Sequence, residues 1–96
     1  MNVVSVFRSA EDCQQAGWMA VDVTFSEAVT EEQILKWQTL GDLVYLRRLK
    51  QPFYRIAGRS FLIKGLEGQS RLRIGFEAGF LPPCDKDAVA AFLRLK

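Results

Sequence analysis

Four cationic side chains, Arg55, Lys64, Arg71 and Arg73, fall close together in a stretch that also carries Phe53. Guanidinium and ammonium groups draw in carboxylates and phosphates, and a phenyl ring among them offers a flat apolar face. The chemistry these residue types support is therefore recognition of an anion, with no bond made or broken. The same side chains also suit a solvated sheet face, where long basic groups discourage edge-to-edge aggregation. Which of the two applies depends on whether the fold brings them together.

Bond-making chemistry has little to draw on. The chain has no histidine, so it has no imidazole base and no Ser-His or Cys-His pair. The closest carboxylate pairs, Glu31 with Glu32 and Asp85 with Asp87, stand at predicted helix starts, where capping and the helix dipole account for them. Cys84 follows Pro82-Pro83 at such a start and is the one residue with a case as a nucleophile, which adjacent Asp85 opposes. A small, partly buried thiol is the expected identity. Cys13 and Cys84 are far apart in a chain with a full apolar complement, so both are expected to be reduced, and zinc binding has no ligand set. No catalytic, cofactor-binding or metal-ligating residue is assigned.

Two short motifs touch nucleic-acid recognition and neither fits. In RIGFEAGF, Arg73 to Phe80, Ile74 stands where the aromatic RNA-binding strand of an RRM needs a different pattern, and Glu77 would repel phosphate. KGLEGQ has the Gly65-x-x-Gly68 spacing of a KH clamp, but Leu66 and Glu67 fill it where exposed amides and basic side chains are needed. A hairpin turn explains both glycines. There is no P-loop and no dinucleotide fingerprint.

The net charge of +2 conceals a strong asymmetry. Residues 1–42 hold seven acids against Arg8 and Lys36, whereas residues 43–75 hold eight bases against Glu67. An acidic partner would be steered toward the second segment.

The elements that must position these groups follow from periodicity and caps. Ninety-six residues, 49% hydrophobic and 25% charged, make one globular α+β domain over residues 1–96. Val3 to Phe7 and Trp18 to Phe25 are rich in β-branched and aromatic residues and read as strands, with one or two helical turns expected between Ser9 and Gly17. Thr30 as N-cap, Glu31, Glu32 and Gln33 open a helix carrying Ile34, Trp37 and Leu40, which Gly41 is expected to end. Residues 42–51 fit either state and are read as a strand. From Phe53, Ala57-Gly58 and Glu67-Gly68 mark turns between three β-runs, a meander. In its last run, Leu72, Ile74 and Phe76 point to the core and Arg71, Arg73 and Glu77 away from it. Asp85 caps a final helix with Val89, Phe92 and Leu93 as its apolar stripe and Arg94 and Lys96 at its C-terminal end. Trp18 and Trp37 are expected in the core.

The expected architecture is an antiparallel-rich sheet of five or six strands with two main helices on one face, a ferredoxin-like plait or a variant of it. The expected function is that of a small, non-enzymatic binding module, cytoplasmic because the N-terminal MNVVSVFRSAED lacks the marks of a secretory signal. Its candidate binding face is Phe53, Arg55, Lys64, Arg71 and Arg73, without a cofactor or membrane contact. The partner is a protein or assembly, acidic in character, with nucleic acid as the alternative, and the chain itself is a monomer or a homodimer built through open sheet edges.

Overall fold

The structure, a computed structural model, describes residues 1–9 and 17–95. Among these residues, six strands and two helices follow in the order β1 (Val3–Arg8), β2 (Trp18–Phe25), α1 (Glu31–Trp37), β3 (Asp42–Leu46), β4 (Phe53–Ala57), β5 (Phe61–Leu66), β6 (Arg71–Glu77) and α2 (Lys86–Phe92). The strands form one sheet in the order β1-β2-β6-β5-β4-β3, with every neighbouring pair antiparallel. A ferredoxin-like plait shares the antiparallel sheet but interleaves both helices between strands in the order β-α-β-β-α-β. Among the described residues α1 alone does so, crossing from β2 to the far edge at β3, and α2 follows the last strand. The turns expected between Ser9 and Gly17, with Cys13, lie outside the described residues, as does Lys96.

Alternation along each strand sends one set of side chains toward the helices. Val21, Val23 and Phe25 of β2, Tyr54 and Ile56 of β4, Phe61 and Ile63 of β5, and Leu72, Ile74 and Phe76 of β6 pack in one cluster with Ile34 and Trp37 of α1 and Val89 and Leu93 at α2. Strand β1 joins through a bulge between Val3 and Ser5. It lets Val3 face Phe25 and Val6 face Val23 while Val4 is left exposed. That bulge and the shortness of β3 blunt the two open edges. Among the described residues, no helix is long and apolar enough to cross a membrane.

Both helices begin as expected. The Thr30 hydroxyl accepts from the Gln33 amide at 3.2 Å, and the Asp85 carboxylate accepts from the amides of Asp87 and Ala88 at 2.9 and 3.0 Å. Their ends differ from expectation. Helix α1 stops at Trp37, because the Thr39 hydroxyl donates to the Lys36 carbonyl and the Leu40 amide to the Trp37 carbonyl, closing a tight turn. Gly41 serves another purpose: its backbone passes so close to β4 that a methyl there would strike the Ala57 carbonyl. Strand β3 covers only Asp42–Leu46 of the 42–51 segment, and the remainder turns back to β4. Arg94 stands beyond the last turn of α2, in the left-handed region with φ of 57°.

Both tyrosines of the chain lie on the helix side of the sheet, opposite each other on β3 and β4. The Tyr54 hydroxyl is fully buried without a partner among the described residues, and Gly65 opposite it has no side chain to displace its ring. Tyr45 donates a hydrogen bond to Glu67, while Arg47 sits over its ring, 4.7 Å from the centroid, and also pairs with Glu31 at 3.0 Å. Burial raises both phenols, most of all Tyr54; for Tyr45 the hydrogen bond to Glu67 and the nearby carboxylates add to it, and its pKa is pushed up to about 12. The folded protein thus keeps protons that the unfolded chain releases above pH 10, so stability present below that pH is lost as pH rises toward about 12. A titration followed by tyrosinate absorbance and denaturant midpoint is expected to show late ionisation that coincides with a falling midpoint. Tyr45→Phe is expected to flatten the fall, and ionisation of the folded protein near pH 10 would contradict the assignment.

Candidate functional site

Among the described residues, the far side of the sheet carries no helix, and the strand register decides what is displayed there. Reading across the strands, Val44 of β3 lies opposite Arg55 of β4, Arg55 opposite Lys64 of β5, Lys64 opposite Arg73 of β6, and Arg73 opposite Asp22 of β2. Three cations from three adjacent strands therefore stand in one line perpendicular to the chain direction. Two residues along each strand, a second line runs parallel to it: Leu46 opposite Phe53, and Phe53 opposite Leu66. Continuing the β5–β6 register by one step sets Arg71 beside Leu66. The face is thus a cationic row alongside an apolar row that ends at Arg71.

Hairpin geometry explains why the cations align. In the two hairpins β4–β5 and β5–β6, closed by the Ala57-Gly58 and Glu67-Gly68 turns, Ile56, Ile63 and Ile74 meet on the core side. Each cation in the row sits one residue away from one of these isoleucines, so burying them places Arg55, Lys64 and Arg73 level on the opposite side.

Arg73 Nε bonds Asp22 Oδ1 at 3.0 Å, with both side chains well exposed. This pair contributes at most about 1 kcal/mol in water, and its main effect is to hold the guanidinium over the sheet. Arg55, Lys64 and Arg71 have no ion pair among the described residues. Like charges one strand apart repel, so Arg55 and Lys64, adjacent across β4 and β5 and without an ion pair among the described residues, are favourable ground for a counter-charge from outside. A shallow depression of about 450 Å³ opens beside these groups, bounded by Asp22, Phe53, Lys64, Leu66, Arg71 and Arg73. Along the same flank, the β3–β4 connection carries exposed Arg48, Leu49 and Lys50.

The five candidate residues, Phe53, Arg55, Lys64, Arg71 and Arg73, thus share one face. Sequence reading did not include Leu46, Leu66 and Val44 with them. Their parity on β3 and β5 was the available signal, but β3 was too ambiguous an element to supply it. Trp18 departs from its expected place in the core: it is half-buried at the start of β2, on the open face opposite Glu77. Only Trp37 is in the core.

Other candidates lose their case. Cys84 is exposed, where a partly buried thiol was expected, and the first amides of α2 are taken by Asp85. No group of histidine, cysteine, aspartate and glutamate able to hold a metal occurs among the described residues. In the Gly65-x-x-Gly68 turn, the Glu67, Gly68 and Gln69 amides donate to the carbonyls of Pro52, Val29 and Leu66, which leaves none of the three for a phosphate clamp. No protein family, curated protein or solved structure matched the chain.

Proposed function

We propose that the protein is a small, non-enzymatic binding module whose open sheet face takes an acidic segment of a protein partner. The observation that carries this reading is the cross-strand row of Arg55, Lys64 and Arg73, set on the side of the sheet away from the helices, with Asp22 at its β2 end. Electrostatic attraction would steer the encounter, and the adjoining Leu46, Phe53 and Leu66 would add apolar burial once the partner is seated.

Nucleic acid is the second reading, on the strength of the same cations with Phe53. The neighbours of Phe53 favour protein instead. Sheet platforms for single strands stack successive bases on several aromatic rings, whereas here Leu46 and Leu66 flank the one phenylalanine in its row.

The test is fluorescence anisotropy with a labelled poly-glutamate peptide and with a single-stranded RNA oligomer, each at low and moderate salt. The acidic peptide is expected to bind and to weaken as salt rises, and Lys64→Glu is expected to weaken it at least about tenfold with the fold unchanged. Tighter, salt-dependent binding of the RNA would transfer the face to nucleic acid. Binding of neither would remove the reading. Turnover on a substrate panel that survives purification and vanishes in Lys64→Ala would overturn its non-enzymatic part.

A further inference from the structure

The direction of the two rows constrains the shape of what lies on them. Along any one strand of this face the cations number at most two, Arg71 and Arg73 on β6, whereas the line across β4, β5 and β6 collects three. A ligand that satisfies the row must therefore cross the strands. Adjacent strands are about 4.8 Å apart, so the three cations span about 10 Å. In an extended peptide, acids at i, i+2 and i+4 would span about 13 Å. In an α-helix, acids at i, i+4 and i+7 span about 10.5 Å.

The second row points the same way. Leu46, Phe53 and Leu66 run parallel to the cations at a distance of two residues along the strand, about 6.7 Å. Stripes a sixth of a turn apart on a helix 10–12 Å in diameter are about 5–6 Å apart. A helix with an apolar stripe and an acidic stripe beside it therefore meets both rows at once. An extended segment lying along the rows, by contrast, presents its same-face residues i, i+2 and i+4 in a single line, so it meets one row at a time.

From this geometry we infer that the occupant of the open face is an acidic amphipathic α-helix of a partner protein, lying across β3 to β6 with its apolar stripe on Leu46, Phe53 and Leu66 and its carboxylates on Arg55, Lys64 and Arg73. This rests on the acidic-partner reading above. About seven residues, two helical turns, cover the rows. Asp22 closes the cationic row at β2 and Val44 at β3, so the complementary acidic stripe has a length of three carboxylates.

The experiment uses the full chain and three labelled peptides of identical glutamate and leucine content, read by anisotropy. One is a hydrocarbon-stapled helix with leucines and glutamates on adjacent stripes. The second is its unstapled counterpart with a central proline, and the third is a stapled helix with the two residue types scrambled around its circumference. The striped helix is expected to bind at least about tenfold more tightly than either control. Lys64→Glu and Leu66→Ser are each expected to reduce that affinity about tenfold or more, with circular dichroism unchanged. Equal binding of the striped and proline-containing peptides would overturn the helical occupant while leaving the acidic-partner reading standing. Equal binding of striped and scrambled helices would overturn the two-row geometry. Binding by none of the three would overturn the inference; the poly-glutamate result above then separates this failure from failure of the acidic-partner reading. If RNA displaces the striped helix at equal charge concentration, the inference fails together with that reading.

Discussion

Trp37→Ala is expected to remove about 3–5 kcal/mol of folding stability. For a chain of this size that is a large part of a total that is commonly about 5–15 kcal/mol. The indole is buried in the middle of the helix layer, with its ring centroid 6.0 Å from that of Phe25 and 6.3 Å from that of Tyr54. Its Nε1 donates to the Leu93 carbonyl at 3.0 Å, joining the end of α1 to the end of α2 across 56 positions of sequence. Truncation opens a cavity that three rigid elements cannot collapse into, and it leaves the buried Leu93 carbonyl without this donor. Trp37→Phe separates the two effects: a ring is kept, the donor is lost, and the expected cost falls to about 1–3 kcal/mol. Urea titration of the three proteins measures this. A loss below about 1 kcal/mol for the alanine variant would mean that α1 does not close over the sheet.

Ile74→Ala is expected to cost about 2–5 kcal/mol, while Arg71→Ala and Arg73→Ala each stay within about 0.5 kcal/mol. Ile74 is fully buried on β6, between Val21 of β2 and Ile63 of β5, so its side chain is enclosed by the two strands and by the helices above. The arginines are on the opposite parity of the same strand, in water. Their loss should therefore appear in binding: the striped acidic helix should weaken with Arg73→Ala even though the denaturant midpoint is unchanged. The register has a clear opposite outcome. A large stability loss at Arg71 with a near-neutral Ile74 would mean that the strand is shifted by one residue, which reverses every face assignment on it.

Local rules made a good part of this molecule readable. Strand β2 and the three strands of the meander fell where alternation and turn residues place them, and Thr30 and Asp85 cap the helices they were expected to cap. In each case the responsible interaction spans only a few residues: a period of two on a pleated strand, or a side-chain oxygen taking the amide two or three positions on. The ends of elements were less legible. Gly41 looks like a helix stop in sequence, yet its small size is required by Ala57, sixteen residues away, while the end of α1 is set by Thr39. Trp18 has the composition of a core residue but falls at the margin of the sheet, opposite Glu77, where the helices do not cover it.

The sequence by itself determined which side chains of β6 are buried, where the meander turns and where the positive charge is concentrated, because these follow from neighbours along the chain. Only the tertiary structure decided that Arg55, Lys64 and Arg73 form a single row, that Leu46, Phe53 and Leu66 form another beside it, and that β6 pairs with β2 to bring Asp22 to the end of the first. The reason is that cross-strand register is a property of two strands at once. It is set by which apolar side chains can be buried together beneath the helices, and the opposite face inherits that alignment.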